Sequence, residues 1–406
     1  MRSATVVFDP VPFTPRHRKP AMPSTSRRTA VTPLTDPEEW RRILRSIGDF
    51  DSYHTPEYQK PVAGAGNHTV LLSYRDSGIE AAVPLTLRPL PEPVRAATGY
   101  DVDATSVYGY PGPLRTSRRD DPNAGPLEID DAWAARFVAW FTEVMADMRV
   151  LTAFIRCHPL LDAADMFDRD PFVLSAPTPT VAVDLTAPRE ERLRRASAHH
   201  RRALRRSLAH GLTFEHDQGP EAVAAFTACY QETMARHRSG ASYWLDEERV
   251  SALLDAFGDM AELWIARKPD GEAASAALFL RTNGILQYHL GGTRTADYAL
   301  GAARPLFEAV AESGHVRGDR WLHLGGGVGG GDDSLLRYKA GFGPDRFAFR
   351  TIRAVFDPEA YDAAIRAAGS GEAGPTPVNG FFPAYRTGGL GVAGDLVQNR
   401  SAQHPS

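Results

Sequence analysis

The sequence predicts an α+β protein made of two successive units, each a mixed sheet flanked by helices. Three observations lead there. From residue 68 to residue 356, stretches with the two-residue period of half-buried strands alternate with stretches of helical period. The order of the second half is helix, helix, helix, three strands, helix, strand, helix, strand. The first half, hairpin, strand, helix, strand, strand, is a shorter echo of it, although no repeat is visible in the residues themselves. Finally, tight-turn signals punctuate the strand runs at Asp76-Ser77-Gly78, Pro269-Asp270-Gly271 and Thr282-Asn283-Gly284.

Taken in order, residues 68–90 read as two strands joined at Asp76-Ser77-Gly78. Residues 105–114 are a short apolar stretch stopped by Pro111-Gly112-Pro113. An amphipathic helix covers 130–149, with aspartates at its start. Strands follow at "VLTAFIRCHPL" and at 180–185. Residues 190–211 read as one helix ending at Gly211, and helices follow at 220–238 and 246–258. Three strands form a meander, "AELWIARK", "AASAALFLR" and "ILQYHLGG". A helix near 304–314 carries Pro305 in its first turn. "RWLHLGGG" is a strand, "DDSLLRYKAG" a short helix, and "RFAFRTIRAVF" a single last strand.

At 406 residues the chain is long enough for two domains with substantial cores. A formal net charge of −4 gives no global attraction to nucleic acid or anionic membrane, so such a partner needs a local patch. Two cysteines, Cys157 and Cys229, make neither a disulfide framework nor a zinc site, and read as buried small side chains in a reducing cytoplasm. No apolar run has the roughly 18 residues a membrane span needs. The basic, proline-interrupted N-terminus reads as a disordered leader rather than a signal peptide. The Gly-, Pro- and Ser-rich tail reads as mostly unstructured.

Residues 323–343, "HLGGGVGGGDDSLLRYKAGFG", hold the densest chemistry. Six of the seven residues 325–331 are glycine. A dinucleotide fingerprint is excluded because the turn falls near the end of the fold, and a Walker loop because no Gly-Lys-Ser/Thr follows. Two readings remain. One is a loose surface turn. The other is a turn whose bare N–H groups, at Gly325, Gly326 and Gly327, cradle an anion or oxyanion, with Asp332-Asp333-Ser334 able to cap the following helix and Asp333 and Ser334 candidate substrate contacts. Lys339 would then put a cation at the site, with Tyr338 stacking beside it. Alternatively, Lys339 merely offsets the dipole at a helix end.

Residues 189–206 hold eight arginines and two acids. They form either a solvated face or a phosphate-binding patch, with Arg201, Arg202 and Arg205 as candidates. In "LQYHLGGT" (286–293), period two places Tyr288 and Leu290 on one face and Gln287 and His289 on the other. His289 is the first candidate to deprotonate an amine, and His323 the second. Tyr288 and Thr293 are candidate substrate contacts. No third ligand accompanies the histidines, so no metal is expected.

The strand order and three stretches, "HRRALRRSLAHGL", "LQYHLGGT" and "HLGGG…D-SLLRYKAGFG", resemble the FemAB (Fem-ABX) aminoacyltransferases and related BioF2-like acyltransferases. "DFDSYHTPEY" (49–58) is a weaker fourth match. The resemblance implies tandem GNAT-like mixed sheets. It divides the chain into a leader (1–37), a first GNAT-like domain (38–188), a second (189–360) and a tail (361–406). It implies a transferase moving an aminoacyl group from aminoacyl-tRNA to an amine, on a peptidoglycan-type precursor or a small metabolite. No resident cofactor is expected, and tRNA is the donor's carrier. An acyl-CoA donor on the same fold is the alternative. "Leu300-Gly301-Ala302-Ala303", where a CoA pyrophosphate turn would fall, has a single glycine. A further alternative is a non-catalytic module binding nucleotide-sugars or cell-wall fragments. The family's aromatic-Lys pair matches Tyr338-Lys339, which the resemblance associates with the tRNA-borne end of the donor.

Overall fold

A computed structural model describes residues 28–116, 128–237, 244–327, 331–369 and 381–387. The first half contains β1 (Arg28–Pro33), α1 (Pro37–Ile47), α2 (Pro56–Val62), β2 (His68–Asp76), β3 (Ile79–Pro89), α3 (Glu92–Thr98), β4 (Val102–Thr105), β5 (Leu114–Arg115), α4 (Asp131–Asp147), β6 (Val150–Arg156), β7 (Phe172–Leu174) and β8 (Thr178–Asp184). The second half contains α5 (Arg189–Arg195), α6 (Ala198–Leu208), β9 (Thr213–His216), α7 (Pro220–Arg236), α8 (Glu247–Phe257), β10 (Ala261–Arg267), β11 (Ala273–Thr282), β12 (Ile285–Thr293), α9 (Ala303–Val316), β13 (Trp321–Gly325), α10 (Ser334–Ala340), β14 (Arg346–Phe349), β15 (Thr351–Val355) and α11 (Pro358–Ala368).

These strands form two separate mixed sheets. The first runs β1-β2-β3-β4-β6-β15-β7, with β5 on β3; the second runs β14-β8-β13-β12-β11-β10-β9. Each is an antiparallel meander followed by a helix and a strand parallel to the meander's last member, β4 with β6 and β12 with β13. The fold class is α+β with tandem GNAT-like sheets.

Local chemistry explains the turns. Ser77 and Gly78 take φ of 53° and 83°, and Asn283 and Gly284 take 48° and 74°, the left-handed pairs that two-residue hairpins require. Asp130 caps α4 by accepting from Trp133 N–H. That helix lays Trp133, Phe137 and Phe141 over the first sheet. The second sheet is covered by α7 and α8 on one face and by α9 and α10 on the other. Tyr53 and Tyr58, from the first unit, belong to the cluster under α7 and α8, so the two units share packing.

Several expectations need correction. The basic segment is two helices, because Ser197 caps a second start by accepting from His200 N–H. "RFAFRTIRAVF" is two strands: β14 pairs with β8 in the second sheet, and after Arg350 the chain crosses to pair as β15 with β6 in the first. Correspondingly β8, assigned by sequence to the first domain, lies between β13 and β14 in the second sheet. The boundary at 188/189 therefore cuts through both units, since each sheet takes a strand from the other's stretch of chain. At the ends, residues 28–33 of the supposed leader pair with β2. Residues 361–368 and 381–387 of the supposed tail pack on the first unit through Tyr361, Ile365, Phe382 and Tyr385. Residues 1–27, 370–380 and 388–406 lie outside the described residues. Among the described residues, no helix is long and apolar enough to cross a membrane.

Candidate active site

The second sheet opens at its centre. β12 and β13 pair in parallel only through Ile285–Trp321, Leu286–Leu322 and Gln287–His323. Beyond that point β12 runs on to Thr293 beside β11, and β13 turns toward β8. An extra residue marks each departing strand. Phe279 faces Tyr288 and Leu278 faces Leu290, leaving His289 as a bulge; His323 faces Ala182 and Gly325 faces Val181, leaving Leu324 as another. The bulge breaks the expected alternation. Tyr288 packs under α9 against Phe279 and Phe307, whereas Leu290 joins the cluster on the opposite face.

The glycines of "LQYHLGGT" have a packing cause. A Cβ on Gly292 would lie 2.1 Å from the carbonyl oxygen of Cys229, so their absence lets α7 settle on β12. Thr293 serves the same contact. Its N–H donates to Thr233 Oγ1, 2.9 Å away, and its hydroxyl lies 3.1 Å from Ser275 Oγ.

At the open end of β13, Gly325 takes φ of 76°. A Cβ there would sit 3.1 Å from the Tyr110 hydroxyl and 3.4 Å from Lys339 Nζ. The Lys339 side chain is buried at 6% exposure, and its ammonium donates to the Gly326 carbonyl at 2.7 Å. Burial pushes its pKa down to about 8, against the pull of Asp333. This is not an exposed lysine at a helix end: it runs back from α10 to hold the glycine turn. Asp333 accepts from Leu336 N–H at 2.8 Å, and its carboxylate fills the space a Gly327 side chain would need. Ser334 is exposed at the first turn. Tyr338 lies beneath the Arg304 guanidinium, 4.6 Å from its ring centre, and against Phe342, so it forms a wall of the second unit's core rather than a free stacking platform. Residues 328–330 of the turn lie outside the described residues.

His323 is buried at 1% exposure on the last paired rung. Its Nδ1 is 2.6 Å from Gln287 Oε1. Gln287 Nε2 in turn donates to Asp51 Oδ2 at 2.7 Å, and His158 Nε2 meets the same oxygen at 3.0 Å. His158 Nδ1 accepts from the N–H groups of Leu160 and Leu161. Burial holds the His323 pKa well below the ordinary imidazole value, with His158 and Lys339 adding to it. His289 is half-buried among Tyr53, Tyr58, Tyr108 and Phe257, and burial brings it down to about 4. Both imidazoles are therefore neutral at pH 7. The structure brings His323, Gly325, Gly326, Lys339 and Tyr110 together and sets His289 on the neighbouring strand.

Sequence reasoning missed Asp51, Tyr110, His158 and Gln287. Asp51 lay in the weak match at 49–58, but nothing in the chain signals that it meets a glutamine 236 positions away.

The three arginines separate. Arg201 turns back to donate from Nη1 to the carbonyls of Leu193, Arg194 and Ala196, closing the C-terminus of α5. Arg202 and Arg205, with Arg206, are exposed on α6 and form no ion pair among the described residues. No group of three His, Cys, Asp or Glu residues is arranged to hold a metal among the described residues.

Residues 194–340 match the family described as acetyltransferase (GNAT) domain. No curated protein sequence matches the chain. Among solved structures, FemX superposes with a TM-score of 0.60 at 12% identity, covering 80% of this chain and 97% of its own. L-PGS from Bacillus licheniformis gives 0.48 at 13% identity, covering 78% and 91%. A tandem GNAT protein from the clavulanic acid biosynthesis pathway gives 0.42 at 14%, covering 80% and 98%. Residues 194–340 thus match a GNAT acetyltransferase domain, and the chain shares its fold with FemX: it has a tandem GNAT-like fold.

Proposed function

We propose that this acyltransferase takes an aminoacyl group from aminoacyl-tRNA and delivers it to an amine, on a peptidoglycan-type precursor or a small metabolite. The observation that carries the choice of donor is the start of α9. A CoA pyrophosphate in this fold needs exposed backbone N–H groups where the helix after the meander begins. Here Ala302 at the cap is fully buried and no side chain caps the helix. Arg304 N–H is already bonded to Gly301 O, and Pro305 has none to offer. A Cβ on Gly301 would lie 2.9 Å from Ser207 Oγ, because α6 covers this end. That same helix presents Arg202, Arg205 and Arg206 to solvent, where a tRNA backbone is within reach.

The chemistry follows from the open fork. A neutral amine attacks the ester carbonyl, forming the C–N bond. The carbonyl oxygen becomes an oxyanion, which the bare N–H groups of the glycine turn and the Lys339 ammonium stabilise. A neutral imidazole takes the proton from the attacking nitrogen. The C–O bond to the terminal ribose then breaks, and that proton passes to the leaving oxygen.

Incubation with a mixed pool of tRNAs charged with labelled amino acids, and separately with labelled acetyl-CoA, each with a panel of amines, tests the proposal. The expected result is transfer of label from charged tRNA. Transfer from acetyl-CoA alone would overturn the choice of donor. Transfer from neither, with retention of a nucleotide-sugar, would point to a binding module.

A further inference from the structure

The hydrogen-bond chain Asp51–Gln287–His323 has only one consistent assignment of donors and acceptors. His158 Nδ1 accepts two backbone N–H groups, so its proton is on Nε2, where it donates to Asp51 Oδ2. Gln287 must then present its amide nitrogen to Asp51 Oδ2. The flipped amide would set two acceptor oxygens 2.7 Å apart. The short Gln287–His158 separation of 3.0 Å is accordingly two donors sharing one carboxylate oxygen. With its nitrogen committed, Gln287 offers Oε1 to His323, and only a protonated Nδ1 can fill that contact. His323 is thereby fixed as the Nδ1–H tautomer. Its Nε2 carries a lone pair, is buried, and has no hydrogen-bond partner among the described residues.

An unpartnered buried nitrogen is costly, on the order of 1–3 kcal/mol, and the Asp51-linked His54 leaves its Nε2 in the same state among the described residues. His323 lies on the last rung before the strands part, with the Tyr110 ring 5.1 Å from its own. Tyr110 in turn borders Gly325 and Lys339.

We propose that His323, rather than His289, accepts the proton of the attacking amine at Nε2, and that Asp51 and Gln287 are positioning residues that hold its tautomer and ring. The carboxylate comes from the first unit and the imidazole from the second, so the reactive lone pair exists only when the two are docked. The proton moves from the amine nitrogen to Nε2 as the C–N bond forms, and from Nε2 to the departing oxygen as the C–O bond breaks. This rests on the transferase reading above but not on its donor.

The test combines spectroscopy and kinetics on the full chain. Imidazole ¹⁵N NMR of the free protein, assigned with His323→Gln, reports the tautomer without any donor. The Nδ1–H form is expected, and an Nε2–H form would overturn the proposal whatever the substrate. Steady-state rates are then measured with whichever donor transfers. His323→Gln should lower kcat by about a hundredfold or more, on the scale of a lost general base, while His289→Gln lowers it far less. Gln287→Met should lower kcat by at least about tenfold within that same range, with KM for both substrates nearly unchanged, and should release the tautomer preference in the spectrum. The double variant Asp51→Asn with Gln287→Glu restores the order of donors and acceptors, and should recover most of the rate. A purely structural network predicts instead that Gln287→Met lowers thermal stability and leaves kcat of the folded protein intact. That result would end the proposal. A protein inactive with both aminoacyl-tRNA and acyl-CoA but showing the Nδ1–H signal would count against the transferase reading, not against the tautomer.

Discussion

Both sheets close an antiparallel meander with a parallel strand, yet they finish the junction in opposite ways. In the first, β4 stays paired to its end, where Thr105 faces Phe154, and the pairing extends through Ser106 N–H to Phe154 O. The acid beside this junction, Asp103, is fully buried and is met by Arg88 at 2.8 Å, Arg386 at 2.6 Å and the Tyr385 hydroxyl at 3.1 Å. In the second, β12 and β13 separate after Gln287 and His323. The groups left there are an imidazole nitrogen that is buried and has no partner among the described residues, a glycine turn and a buried ammonium. A closed and charge-matched junction supports a fold. The open one, with polar groups in reserve, is where the proposed reaction is placed, so the proposal assigns the chemistry to the second unit and the scaffolding to the first.

The largest expected effect breaks the closed junction. Asp103→Ala leaves the Arg88 and Arg386 side chains buried beside a missing acid, and should cost about 3–5 kcal/mol of stability by denaturant titration. Turnover of the molecules that remain folded should not change. A drop in turnover at undiminished stability would reverse the roles given to the two junctions.

Next comes the open junction. Lys339→Ala should lower kcat by about a hundredfold or more, and stability by only about 1 kcal/mol, the worth of its bond to the Gly326 carbonyl. Near-normal turnover in a folded variant would leave Lys339 as a mere clamp on the turn.

The pH dependence is smaller and has two opposite signs. Lys339 titrates at about 8 in the folded chain and near its ordinary, higher value when unfolded. Activity that needs the cation is full below about pH 8 and falls above it. Over the same window the unfolded chain binds more protons, so this group's contribution to stability rises with pH. Rate profiles and denaturation midpoints measured between pH 7 and about pH 10 should therefore move in opposite directions. A flat rate profile would remove the cation from the chemistry.

Least in size is the effect of Arg202, Arg205 and Arg206 replaced together by Ala. Binding of tRNA should weaken, and the slope of log affinity against log salt should shrink by about one for each phosphate no longer neutralised. The fold should be untouched, since none of the three forms an ion pair among the described residues. Arg201→Ala alone should instead destabilise the α5–α6 joint without changing that slope. An unchanged slope in the triple variant would make α6 an ordinary solvated face.

Local patterns in the chain settled the hairpins at 76–79 and 282–285, the capped starts of α4 and α10, and the order of strands and helices that carries the resemblance. Each is governed by residues within one turn or one strand, where backbone conformation and capping groups act over a few positions. That a short helix carrying Lys339 follows the glycines was legible for the same reason. What could not be read locally was which sheet takes β8 and β15, because an edge strand's partner is set by the distant backbone it meets, and Arg350 carries no mark of the crossing. Nor could a sequence place Asp51 behind Gln287 and His323, join Arg201 to the end of α5, or bulge β12 at His289. Those arrangements arise when buried donors and acceptors from different parts of the chain must satisfy one another, a condition that exists only once the two units have packed.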